Sequence, residues 1–127
     1  MHEVIKKYYA NMSDAGYENA GMINNADIVI YIASFETLSP ACGSIDDFID
    51  YYFKLTDNHI TEVRYQCMTD PTANVIADVI CELAKGKTMQ EFLQLKPDNI
   101  IQFLGCDDEL VKTKSVVLLE LLREKIH

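Results

Sequence analysis

Residues 48–66 read Phe48-Ile49-Asp50-Tyr51-Tyr52-Phe53-Lys54-Leu55-Thr56-Asp57-Asn58-His59-Ile60-Thr61-Glu62-Val63-Arg64-Tyr65-Gln66, and this stretch decides the fold. Ile49, Tyr51, Phe53 and Leu55 alternate with Asp50 and Lys54, the period of a strand with one apolar face. Thr56-Asp57-Asn58-His59 breaks the run with an Asp and an Asn that tolerate positive φ, so the chain turns back. Ile60 to Gln66 alternates again, Thr61, Val63 and Tyr65 against Glu62, Arg64 and Gln66. Upstream, Ile28 to Ala33 is wholly apolar and β-branched, which reads as a strand covered on both faces. The three runs make an antiparallel meander.

Downstream the period becomes helical. Val75, Ile76, Val79, Ile80 and Leu83 form a stripe that starts near Asp70-Pro71-Thr72 and stops at Gly86. Thr88-Met89-Gln90-Glu91 fits a capping box. Pro97-Asp98 opens a short helix to Leu104, with Gly105 as its stop. Leu110 to Ile126, carrying Val117, Leu118, Leu121 and Leu122, is the last and longest helix. At the other end Glu3 to Tyr9 reads as a short helix, and residues 11–25, rich in Asn, Gly, Ser and Asp, as loop. Strands followed by helices predict an α+β fold: a three-stranded antiparallel sheet with helices packed on one face.

The 127 residues, 49% hydrophobic and 24% charged, suit one domain over residues 1–127 with its own core and exclude disorder. The 11 basic residues against 20 acids, a net charge of −9, argue against nucleic acid or an anionic membrane as partner, because phosphate binding needs a cationic face. No run reaches the roughly 18 apolar residues of a membrane span. Met1 to Lys7 lacks the apolar stretch of a signal peptide, so a cytoplasmic location is expected.

The cysteines are Cys42, Cys67, Cys81 and Cys106. No C-x-x-C occurs, which leaves free thiols or metal ligands rather than a zinc finger or a redox pair. Lys85-Gly86-Lys87-Thr88 ends like a phosphate loop, but position 81 is Cys81 instead of glycine and a helix precedes it. It reads as a helix end followed by the capping box. His2, His59 and His127 sit at a turn and the termini, without a carboxylate or nucleophile placed to orient them, and read as solvated. Cys81 lies beside Ala77 and Ala84 off the main stripe, a small semi-buried structural cysteine. Cys42, between Pro40 and Gly43 in a loop at the sheet, is where the backbone can expose a thiolate.

Four segments in register resemble the iron–sulfur cluster assembly scaffolds of the IscU type, also the N-terminal domain of NifU. Val4-Ile5-Lys6-Lys7-Tyr8-Tyr9-Ala10-Asn11 followed by Gly16 resembles the family's opening helix and N-P-R-N-x-G segment, with Met12-Ser13-Asp14 in the middle. Pro40-Ala41-Cys42-Gly43 is similar to P-A-C-G-D, Ile60-Thr61-Glu62-Val63-Arg64-Tyr65 to I-x-D-A-R-F, and Lys85-Gly86-Lys87-Thr88-Met89-Gln90-Glu91 to K-G-K-T/S-x-x-E. The resemblance covers about the full length.

The departures fall on the metal site. Ser44 stands where the family has an aspartate. Counting without gaps from Lys85, the second cysteine falls on Asp70 and the histidine–cysteine pair on Lys112-Thr113. The chaperone-recognition segment L-P-P-V-K falls on Cys106-Asp107-Asp108-Glu109-Leu110. Only Cys42 is retained in place. Cys67, three residues before Asp70, and Cys106, in the loop entering the last helix, are near enough to substitute. The ligand set implied is therefore Cys42, Cys67, Asp70 and Cys106, since clusters are held chiefly by thiolates.

The resemblance implies a transiently bound iron–sulfur cluster, or zinc in its absence, a cysteine desulfurase as sulfur donor, and apo-protein recipients. The chemistry would be ligand exchange rather than enzymatic turnover. A domain that kept the fold as an interaction or regulatory module and lost the cluster is the alternative. Cys42, Cys67 and Asp70 are expected to converge at one end of the sheet. The loop before the second strand and the end of the third lie at the same edge of a meander.

Overall fold

The computed structural model describes residues 2–33 and 48–126. Helix α1 spans Glu3–Asp14, strands β1, β2 and β3 span Ile28–Ala33, Phe48–Thr56 and His59–Met68, and helices α2 to α5 span Pro71–Ala84, Met89–Leu93, Pro97–Leu104 and Glu109–Ile126. The sheet order is β1-β2-β3, antiparallel throughout.

The hairpin turns as its sequence predicts: Asp57 and Asn58 both take positive φ, at 51° and 66°. Ile49, Tyr51 and Phe53 on β2 and Val63 and Tyr65 on β3 are buried on the inner face. A register shift between Lys54 and Leu55 turns Ile60 into the core and leaves Thr61 exposed, where its hydroxyl donates to the Lys54 carbonyl. Bulges re-aim side chains in this way, which a strict period of two cannot anticipate.

Strand β1 and helix α1 also depart from expectation. Strand β1 is covered on one face only: Ile30 and Ile32 are buried, whereas Val29 is 38% and Tyr31 64% exposed. It is an edge strand, and an all-apolar composition conceals which face is inward. Helix α1 runs on to Asp14, beyond Tyr9 into the segment read as loop. Met12 reaches the core one turn further on, and Gly16, at φ 76°, lies just past the helix end. Residues 19–21 then hook onto the free edge of β3, with Gly21 N–H donating to the Tyr65 carbonyl and Tyr65 N–H to the Asn19 carbonyl.

Helix α2 lies at the centre of the helical layer, against β3, α1, α4 and α5. That surrounding explains why Cys81, expected to be semi-buried, is 0% exposed together with Ala77 and Ala84. Lys85 to Thr88 is a structural clip: Gly86 N–H donates to the Ile60 carbonyl and Ile60 N–H to the Lys87 carbonyl. The capping box is complete, Thr88 Oγ1 accepting from Glu91 N and Glu91 Oε1 from Thr88 N. Gly105 ends α4 in the left-handed conformation. No helix among the described residues is long and apolar enough to cross a membrane.

Candidate functional site

Strand pairing places Cys67 at one end of the sheet. Ala33 pairs with Phe48 and Phe48 with Met68, and the next row is Ile32–Ile49–Cys67. Residues 34–47, with Cys42 and Ser44, lie outside the described residues. The residues flanking that segment, Ala33 and Phe48, are paired in the row adjacent to that of Cys67.

Cys67 shares the inner face with Val63 and Tyr65. Its thiol is pushed up to about 12, first by burial and then by the Asp70 carboxylate. At neutral pH it is a neutral thiol. A thiolate there requires a cation. The residue lines a cavity of about 300 Å³ with Tyr17, Gly21, Tyr65 and Asn74 among its walls.

Asp70 is the N-cap of α2. Its Oδ1 accepts from Ala73 N at 3.0 Å, satisfying one of the helix's free N–H groups. Its Oδ2 accepts from Lys114 Nζ at 2.7 Å. The lysine side chain is 1% exposed and the aspartate's 9%. This ion pair, its ammonium buried and its carboxylate part-buried, joins the start of α2 to the second turn of α5. Lys114 was not among the sequence-derived candidates. The available signal was its spacing: it lies on the same helical stripe as Val111 and Leu118, both buried, and a lysine on an apolar stripe needs an anion.

Cys106 is 2% exposed, and its N–H donates to the Ile101 carbonyl at the end of α4. Among the described residues no three His, Cys, Asp or Glu side chains are grouped so as to hold a metal ion. The structure thus brings Cys67 and Asp70 together, does not join Cys106 to them as a third ligand, and leaves Cys42 outside the described residues. The described side chains alone do not fit a metal ion or cluster, and the Asp70 carboxylate is already engaged by an ammonium.

A second polar cluster escaped sequence reading. Asp78, on α2 and 6% exposed, accepts from Tyr8 Oη at 2.7 Å and from Asn19 Nδ2 at 3.1 Å. Asn19 Nδ2 also donates to Glu82, which pairs with Lys85. Burial raises the Asp78 carboxyl above its ordinary value, the bonds from Tyr8 and Asn19 oppose the rise, and Glu82 adds to it. The cluster borders a cavity of about 270 Å³ between α1, α2 and Phe103.

The family described as NifU-like N terminal domain matches residues 2–120. Two proteins of Archaeoglobus fulgidus, named iron–sulfur cluster assembly scaffold proteins IscU 1 and IscU 2, are each 32% identical over 87 residues, 68% of this chain and 52% of theirs. The chain spans about half the length of these curated relatives. Among solved structures, a proposed iron–sulfur cluster assembly scaffold of the SUF system from Fervidobacterium islandicum AW-1 superposes with a TM-score of 0.70 at 19% identity, covering 100% of this chain and 96% of that one. The N-terminal part of a nitrogen-fixing NifU-like protein from Brucella abortus gives 0.61 at 15% identity, covering 98% and 90%. Identities this low show a shared fold.

Proposed function

This chain belongs to the NifU-like N-terminal domain family, and from that premise we propose that it serves iron–sulfur cluster assembly as a scaffold or carrier. It would hold iron and sulfide as cargo through cysteine thiolates and pass the cluster to apo-proteins. The observation that supports this reading most is the family match over residues 2–120. The resemblance to scaffold proteins supplies the rest: a cysteine desulfurase delivers sulfur, and apo-proteins receive the product.

The proposed ligands are Cys42, Cys67, Asp70 and Cys106. Cys67 and Asp70 stand at the sheet end where the segment carrying Cys42 leaves β1 and rejoins β2. Bound iron would lower the Cys67 thiol from its raised value, because a coordinating thiol is deprotonated by the metal's charge. Cys106 joins only if the connection between α4 and α5 shifts, because its side chain is in the core.

A second reading is favoured by the Asp70–Lys114 pair. A carboxylate already neutralised by a buried ammonium suits a domain that keeps the fold as a docking module and carries no cluster.

Iron and sulfide analysis with visible spectroscopy, on protein purified anaerobically and reconstituted, separates the two. A scaffold gives an iron–sulfur chromophore that Cys42→Ser abolishes and Cys81→Ser leaves intact, since Cys81 is sealed inside α2's packing. Wild-type protein that takes up neither iron–sulfide nor zinc under reducing conditions supports the docking module instead.

A further inference from the structure

We propose that Lys114 is the resident counter-cation of this site: its ammonium holds the Asp70 carboxylate oxygen that a metal ion would need, so cation uptake at this end of the sheet requires the lysine to leave. The proposal rests on the reading above that metal is taken up here, and adds which residue controls it.

Asp70 Oδ1 is committed to Ala73 N–H as the helix cap, and Oδ2 to Lys114 Nζ. A metal ion ligated by Oδ2 would lie roughly 2.0–2.2 Å from it. An ammonium still 2.7 Å from the same oxygen would face that ion at only a few ångströms. With the ammonium buried, two cations so close repel strongly, the more so when the metal ion is divalent. The two cations are therefore alternatives.

Lysine suits such a role. Its charge is compact and carried on a flexible four-carbon stem, so it can swing out where an arginine fork would stay engaged. The core side of the stem is set by α5, where Val111, Ser115 and Leu118 are all buried. Among the described residues the ammonium is paired with Asp70. With the lysine in place the carboxylate is neutralised and the site is closed to cations. With the lysine displaced, Asp70 and the Cys67 thiol beside it become a nascent ligand pair.

The test uses Co²⁺ as probe under reducing conditions, with affinity from equilibrium dialysis and thiolate ligation from the cobalt–sulfur absorption. Lys114→Met removes the competing charge. Lys114→Gln keeps a hydrogen-bond donor for Asp70 and serves if the Met variant folds poorly. Both should bind Co²⁺ roughly tenfold or more tightly than wild type, because the ion pair no longer has to be broken. Asp70→Asn combined with Lys114→Met should lose that gain, and retention of the gain would show that the competition is not for Asp70. Equal affinity in wild type and both single variants, with thiolate absorption, overturns the proposal and leaves the scaffold reading standing. Uptake by the variants alone supports the proposal and removes the scaffold reading for the natural chain. No uptake by any of them overturns both.

Discussion

Two aspartates of helix α2, the part-buried Asp70 at its N-cap and the buried Asp78 within it, have their charges handled in opposite ways. Asp70, at the helix start, is matched by a full positive charge, Lys114 Nζ at 2.7 Å, in addition to the Ala73 N–H. Asp78, two turns on, is held by neutral donors, the Tyr8 hydroxyl and the Asn19 amide, while the nearest lysine, Lys85, pairs with Glu82. The first arrangement fixes a charge in place and ties α2 to α5. The second leaves a carboxylate whose burial is only partly offset and whose proton affinity is raised. One end of the helix is thus electrostatically closed, and the other is responsive to pH. Only the closed end adjoins the proposed ligands.

The largest effect should come from adding a third aspartate to the same helix with neither kind of support. Val79 is 0% exposed within the core cluster of α2 and the sheet. Val79→Asp would bury an uncompensated carboxylate, and the expected outcome is failure to fold, read as loss of cooperative melting in circular dichroism. A variant that melts like wild type would mean that Val79 does not face the core.

The next effect separates charge pairing from capping. Asp70→Ala strands the Lys114 ammonium in the core and removes the N-cap, and should cost about 3–5 kcal/mol in denaturant unfolding. Asp70→Asn with Lys114→Met retains a capping oxygen and removes both charges, so most of that loss should return. If the double variant is as unstable as Asp70→Ala, the pair is not what makes the position sensitive.

These residues also mark where sequence reading reaches its limit. The hairpin, the α2 stripe, the capping box and Gly105 were legible because each is local: period, turn chemistry and helix ends are written within a few residues. The extent of α1, the single covered face of β1 and the complete burial of Cys81 were not, because each depends on what packs against it. Met12 lies beyond the point where local apolar spacing fades, and Val29 and Tyr31 look as apolar as their buried neighbours. The site divides in the same way. Cys67 and Asp70 were selected and do lie together, since three residues of separation at a strand-to-helix junction leave little freedom. Lys114 is 44 residues from Asp70 in sequence, and only the packing of α5 on α2 makes them partners. The Tyr8–Asp78 bond joins residues 70 apart and was invisible for the same reason.

The smallest effect tests the responsive end. Because burial raises the folded-state value of Asp78 above its ordinary 3.8, the folded protein holds this proton more tightly than the unfolded chain does. The contribution to stability is therefore fully present below the unfolded value and is lost as pH rises through the folded value. Asp78→Asn should flatten that part of the stability–pH curve. Tyr8→Phe should act in the opposite direction. The tyrosine hydroxyl donates to Asp78 Oδ2 and opposes the rise, so its removal should push the carboxyl higher still and extend the falling limb to higher pH. While the carboxylate is ionised, the lost bond should cost about 1.5–3 kcal/mol, the range for a hydrogen bond to a charged group. In acid, where Asp78 carries its own proton, the cost should shrink. Side-chain carboxyl ¹³C titration of wild type and Tyr8→Phe measures the shift directly. An unchanged or lowered midpoint for Asp78 in Tyr8→Phe would mean that the phenol does not stabilise the carboxylate, and that the two ends of α2 differ in burial alone.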